Sequence, residues 1–317
     1  MLIEGKWHDK WQPVEKSDSV GRFIRPTSTV RHWITPDGRP GPTGRGGFEA
    51  RAGRYHLYVA LICPWASRTL IARSLMGLTD MISVSVVNPI LTEQGWAFAD
   101  FPGATEDALF GFHYLHQVYS KHDPGFTGQV TVPVLWDKQQ NCMVNNESAD
   151  ILRMLGSSFQ HLVKDEQPVL YPKQHADEID ALNKRTYQLL NNGVYRAGFA
   201  QSQEAYEEAY NDVFSILDEL EERLDKQDFL ITDHLTETDI RVFVTLVRFD
   251  VAYHGLFKCN RQRIVDYKNL WAYTKRIYAI PGVAETVNLE HIKHGYYHLK
   301  TLNPLGIVPA GPTISFD

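Results

Sequence analysis

The sequence has no long apolar run. No stretch reaches the roughly 18 consecutive apolar residues that a membrane span needs, and Met1 to Lys10 holds no apolar core of signal-peptide length. A cytoplasmic protein without membrane attachment is the expectation. Positive charge is also short: 32 Lys and Arg against 38 Asp and Glu leave a formal charge of −6, with no basic run. Nucleic acid as a partner therefore has no electrostatic support.

Cysteine is scarcer still. The three cysteines, at 63, 142 and 259, cannot all pair within the chain and show no metal-ligand spacing, so free thiols in a reducing compartment are expected. The 13 histidines are scattered without an HExxH-type pair, and no metal site is expected. The glycine-rich stretch from Thr35 to Gly47 lacks the Gly-Lys-Ser/Thr ending of a phosphate loop. Internal repeats are absent too.

What remains is an ordinary soluble composition, 43% hydrophobic and 22% charged over 317 residues, long enough for two domains. Its most informative stretch is Tyr55 to Leu70. An alternating strand pattern runs into Cys63-Pro64 and then into a helical pattern carrying Leu70, Ile71, Leu75 and Met76, with Gly77 as its stop. Proline suits the first helical turn, where no N–H is needed. One thiol thus stands at a helix N-terminus, where orphan N–H groups and the helix dipole favour the thiolate and lower its pKa from about 8.5. The alternative is a buried structural cysteine in a strand-to-helix turn, which the Cys-Pro context disfavours. Cys142, on a strand, and Cys259, among polar residues, read as non-catalytic.

Along the chain, residues 1–50 hold Trp7, Trp11 and Trp33 among many Gly and Pro, and read as an irregular arm lying on the folded body. A strand (Tyr55 to Leu61), a helix (Pro64 to Met76) and a strand (Ile82 to Val87) form a βαβ unit with a parallel pair. A long insertion, 88–128, follows. Val130 to Asp137 is a strand with Pro133 near its middle, so Val132-Pro133 is a strand start and a candidate cis peptide. Cys142 to Val144 is a short strand, and Asn145 to Asp150 opens a helix. This order predicts an α/β thioredoxin-like domain over 51–160, a linker over 161–173 and an all-α domain over 174–317. In the latter, Tyr206, Tyr210, Val213, Leu217, Leu220 and Leu224 keep helical spacing, with acidic residues on a face read as solvated. Thr236-x-x-Asp239 before an apolar run is a capping-box signature.

On these residues the chain resembles the glutathione transferases, and within them the glutathionyl-hydroquinone reductases, or Xi class. The resemblance runs through Gly5 to Trp7, Arg31 to Gly38, Gly53 to Tyr58, Cys63-Pro64-Trp65-Ala66, Val130 to Asp137, Asn146-Glu147-Ser148, Arg248 to Asp250, Tyr253-His254-Gly255, Phe257 to Asn260, Asn303-Pro304 and Gly306 to Pro309. It implies glutathione as co-substrate, a homodimer, and Cys63 as nucleophile. It further implies glutathione contacts from Trp96, Gln129, Val132, Pro133, Glu147 and Ser148, and contacts to an aromatic substrate from Tyr195, Tyr253 and Tyr296. Arg196 and His254, beside two of these tyrosines, read as surface or core residues. One departure is Ser67, where the family pattern has His. Ala66 also leaves the two-cysteine route of thioredoxins without a local partner, so an external thiol must regenerate Cys63. The competing activities are an omega-like thiol transferase or dehydroascorbate reductase, and a non-catalytic binding module of the same fold.

Overall fold

The computed structural model describes residues 1–9, 17–98, 100–164 and 166–316; Trp11 lies outside them. The chain divides into two compact units. One comprises Met1–Trp11, Thr27–Pro168 and Thr286–His291; the other comprises Gln12–Pro26, Val169–Glu285 and Ile292–Asp317.

The first unit is built on a four-stranded sheet of β3 (Tyr55–Val59), β4 (Ile82–Val86), β5 (Val134–Asp137) and β6 (Cys142–Asn145), in the order β4-β3-β5-β6. β3 runs parallel to β4 and antiparallel to β5, and β5 runs antiparallel to β6. The helix α1 (Pro64–Leu75) makes the crossover from β3 to β4, as a parallel pair requires. It packs beside α3 (Ser148–Ser157). This mixed sheet with its helices is the thioredoxin-like half that the element order predicts.

All five residues of β3 are buried, so none of its polar side chains reaches water. Its polar positions are satisfied internally instead. His56 meets Ser83 Oγ through Nδ1 at 2.7 Å and Ser85 Oγ through Nε2 at 3.0 Å, and Tyr58 donates to Asp107 at 2.9 Å. A central strand is covered on both faces, so side chains that would face water at an edge must find protein partners here. Burial pushes the His56 pKa down to about 4, since the imidazolium would lose its hydration.

Strand ends are shorter than the sequence pattern implies. β5 begins at Val134, directly after the expected entry at Val132-Pro133, which is a cis peptide; Pro133 has no N–H for the ladder. The insertion 88–128 contains the helix α2 (Leu115–His122), opened by Gln117 reaching back to the N–H of Tyr114. Residues 1–50 contribute a small ribbon, β1 (Leu2–Ile3) against β2 (Lys6–Trp7). Trp7 donates to the Glu93 carbonyl and stacks on His116, while Trp33 donates to Thr43.

The second unit is helical: α4 (Ala176–Thr186), α5 (Gly193–Gly198), α6 (Gln203–Arg223), α7 (Glu237–Arg248), α8 (Lys268–Tyr278) and the part of α9 (Leu289–Tyr297) from Ile292 onward. On α6 the predicted stripe is buried at Val213, Leu217 and Leu220, with Tyr206 and Tyr210 at its rim. Its acidic face is not simply solvated, because Glu208 and Asp212 clasp Arg196, Glu219 pairs with Arg185, and Asp218 pairs with Arg261.

The capping box at α7 forms as predicted, and does more. The buried Asp239 carboxylate accepts from the N–H and hydroxyl of Thr236, from the Leu230 N–H and from the Tyr273 hydroxyl, tying three segments together. Two wide π turns, Tyr187–Asn191 between α4 and α5 and Phe249–Tyr253 after α7, have no signal in the sequence. Each rotates the following side chains relative to the apolar stripe that precedes it.

Candidate active site

Cys63 is the N-cap of α1, with extended backbone (φ −76°, ψ 118°) and Pro64 in the first turn. Its N–H donates to the Ala60 carbonyl and its own carbonyl accepts from the Ser67 N–H, both at 3.0 Å. The half-buried sulfur therefore sits at the positive end of the helix dipole. On its other side the thiol points at the Val132 carbonyl, 3.7 Å away. These two neighbours oppose each other, since the carbonyl favours S–H and the helix end favours S⁻. An S–H group is a weak donor, whereas a helix terminus is worth about 0.3–2 kcal/mol to a nearby charge.

Val132 and Pro133 are thus brought to Cys63 by the meeting of a strand start with a helix start. Glu147 and Ser148 open α3, with Glu147 as N-cap. One Glu147 carboxylate oxygen accepts from the Ala149 N–H at 3.1 Å and the other from the Ser28 hydroxyl at 3.0 Å. The buried Arg68 of α1 reaches the Ser148 hydroxyl at 3.5 Å and lies 4.5 Å from the Trp65 ring centroid. The helix carrying the thiol is linked in this way to the start of α3, itself a ready anion site. Trp96 and Gln129 are half-buried on the loops before α2 and β5.

The three tyrosines come together within the helical unit. Tyr195 of α5 and Tyr296 of α9 meet hydroxyl to hydroxyl at 2.6 Å, and Tyr253, last residue of the second π turn, meets Tyr296 at 2.8 Å. Phe257 packs on all three rings and Phe199 on that of Tyr195. Tyr253 and Tyr296 are buried, and desolvation of the phenolate holds their pKa values well above 10. They are phenols at neutral pH.

The remaining candidates fall elsewhere. Arg196 is held by Glu208 and Asp212 at 2.7 Å each. Burial raises the thiol pKa of Cys142, and that of fully buried Cys259 to about 12, which makes both poor nucleophiles at neutral pH. Among the described residues no group of three or more His, Cys, Asp or Glu could hold a metal ion, and no helix is long and apolar enough to cross a membrane.

Residues 62–158 match the family model of the glutathione S-transferase N-terminal domain, and residues 203–276 match that of the C-terminal domain. The chain is 51% identical to the glutathionyl-hydroquinone reductase YqjG of Escherichia coli, covering 100% of this chain and 96% of that one. The glutathione-bound structure of YqjG superposes with a TM-score of 0.91 over the same shares. A glutathione transferase Xi from Phanerochaete chrysosporium is 44% identical, with a TM-score of 0.89 and coverage of 94% and 95%. The chain belongs to the Xi class of glutathione transferases.

Identity to PcpF, the glutathionyl-hydroquinone reductase of Sphingobium chlorophenolicum, is 47%, over 98% of this chain and 96% of that one. In this Xi-class chain, sequence reasoning passed over Ser28, Arg68 and Arg25, each of which touches a residue singled out above. Arg68 follows Cys63 by five positions on a helix that is buried from Ala66 to Ala72, and its burial is visible only in the structure. Ser28 and Arg25 lie in an aperiodic arm, where no pattern marks them.

Proposed function

We propose that the protein reduces glutathionyl-hydroquinones to hydroquinones with glutathione as reductant, through a Cys63–glutathione mixed disulfide. The Cys63 turn carries this reading: one thiol at a helix start, beside the Val132 carbonyl, with Ala66 where a resolving cysteine would stand. The names of the relatives support it.

In the first step the Cys63 thiolate attacks the glutathione sulfur of the aromatic thioether. A sulfur–sulfur bond forms and the carbon–sulfur bond breaks. Its electron pair goes to the ring carbon, which takes up a proton and is reduced, while sulfur is oxidised. In the second step the thiolate of another glutathione attacks the glutathione sulfur of the mixed disulfide, and Cys63 leaves as thiolate. The sum is one thioether plus one glutathione giving one hydroquinone plus oxidised glutathione.

The thioredoxin-like unit holds glutathione in this scheme. Val132 and Pro133 offer backbone groups to its cysteinyl part, the start of α3 with the Ser148 hydroxyl takes the γ-glutamyl carboxylate, and Glu147 takes the ammonium. Trp96 and Gln129 add side contacts. Tyr195, Tyr253 and Tyr296 bind the aromatic ring and donate to its oxygens, because burial keeps Tyr253 and Tyr296 protonated. Ser67 stands in place of the family's His, and the helix end favours the Cys63 thiolate. Three cysteines without metal-ligand spacing fit a reducing cytosol. A homodimer, implied by the family resemblance, is read by light scattering.

The test is turnover of glutathionyl-menadiol with glutathione, following menadiol release, beside dehydroascorbate and a glutathione mixed disulfide. Preference for the aromatic thioether, lost in Cys63→Ala, is the expected result. Turnover surviving that substitution removes the mechanism, and a preference for dehydroascorbate replaces it with the thiol-transferase reading.

A further inference from the structure

We infer that Arg25 is a positioning residue for the phenol trio: stacked on Tyr195 and bonded to Asn192 at the start of the same helix, it aims the Tyr195 hydroxyl at Tyr296. This rests on the reading above, in which the trio acts on the aromatic substrate.

Arg25 belongs to the helical unit by way of the segment Gln12–Pro26, far in sequence from the helices it touches. Its guanidinium carbon lies 4.4 Å from the centroid of the Tyr195 ring and 5.4 Å from that of Phe23. Its Nε donates to Asn192 Oδ1 at 2.7 Å, and Asn192 is the residue that leads into α5. The side chain therefore fixes two things at once, the start of the helix and the ring that the helix presents.

Such a clamp is needed here for a local reason. α5 has only six residues and follows directly on a wide π turn, so its own backbone gives Tyr195 little orientational restraint. Tyr253 and Tyr296 are buried and have packing on every side, whereas Tyr195 is half-exposed. Arg25 lays a charged group on the face of the Tyr195 ring. The planar guanidinium matches the ring and Asn192 together, which an ammonium does only in part.

The test compares the wild-type protein with Arg25→Gln and Arg25→Lys. For glutathionyl-menadiol, Arg25→Gln is expected to lower kcat/KM about tenfold, from the loss of a stacked cation and its restraint. The loss falls mainly in kcat, since the apolar walls still bind the ring. Arg25→Lys recovers part of it. Reduction of a glutathione mixed disulfide, which needs Cys63 and no aromatic ring, holds within about twofold. A crystal structure of Arg25→Gln shows the Tyr195 hydroxyl moved away from Tyr296. Equal losses on both substrates, or no loss on either, overturn the inference. If wild-type protein leaves glutathionyl-menadiol untouched, the functional reading fails by itself, and the crystal structure decides Arg25: a Tyr195–Tyr296 contact still at hydrogen-bonding distance overturns the positioning role, and a broken one sustains it.

Discussion

Cys63 takes its chemistry from its neighbours in sequence, whereas the phenol trio is gathered from afar. Pro64 and the first turn of α1 set the thiol at a helix end, and a carbonyl at Val132 comes to it from a distance. Tyr195 and Tyr296 stand 101 positions apart, and Tyr195 is presented by a short helix that follows a π turn. The lesson is that a nucleophile can be specified by a local motif, while a binding surface for a ring needs the whole helical unit to be in register. Damage to the first should be total and local, and damage to the second partial and spread over many residues.

The sharpest break is Cys63→Ala. It should abolish turnover of the aromatic thioether and of a mixed disulfide alike, by at least about a thousandfold, because no other group supplies the nucleophile. Chromatographic assay of released hydroquinone reads this. Next in size is Asp239→Ala in the helical unit. Four buried donors would lose their acceptor, which costs about 3 kcal/mol or more in denaturant unfolding, with the m-value as control.

Tyr296→Phe separates the two regions functionally. Tyr296 is shared by both hydroxyl contacts, so the variant should lose about tenfold or somewhat more in kcat/KM for the aromatic substrate and almost nothing for a mixed disulfide. Tyr195→Phe and Tyr253→Phe, which each remove one contact, should lose less. If all three variants leave the substrate ratio unchanged, the trio has no part in ring recognition.

The smallest effect belongs to the thioredoxin-like unit. His56 is neutral in the fold, with its pKa pushed down to about 4, against about 6.5 when unfolded. The unfolded chain thus takes up a proton first as pH falls. The contribution of His56 is complete above about pH 6.5 and is lost as pH falls toward 4, amounting to about 1 kcal/mol between pH 6.5 and 5.5. Denaturant midpoints at those two pH values, with His56→Gln as the control that flattens the difference, measure it.

Legibility in the sequence followed the same division. The βαβ order, the thiol at a helix start, the proline-led strand and the Thr236–Asp239 cap were all readable, because each rests on short-range spacing or on one residue's backbone constraint. The cover over the polar residues of β3 comes from Ser83, Ser85 and Asp107, which no pattern within the strand announces. The tyrosines were identified through family resemblance and not through periodicity, because a π turn breaks the helical repeat at the place where they are presented. Arg25 and Ser28 sit in an arm whose order comes wholly from what it touches.

The central claim is that a single sulfur carries the glutathionyl group between two partners. Mixing the protein with one equivalent of glutathionyl-menadiol, with no free glutathione, and digesting for mass spectrometry tests it most directly. One equivalent of menadiol released together with one glutathione on the peptide containing Cys63 is the predicted result. Menadiol released while Cys63 stays unmodified would contradict the account.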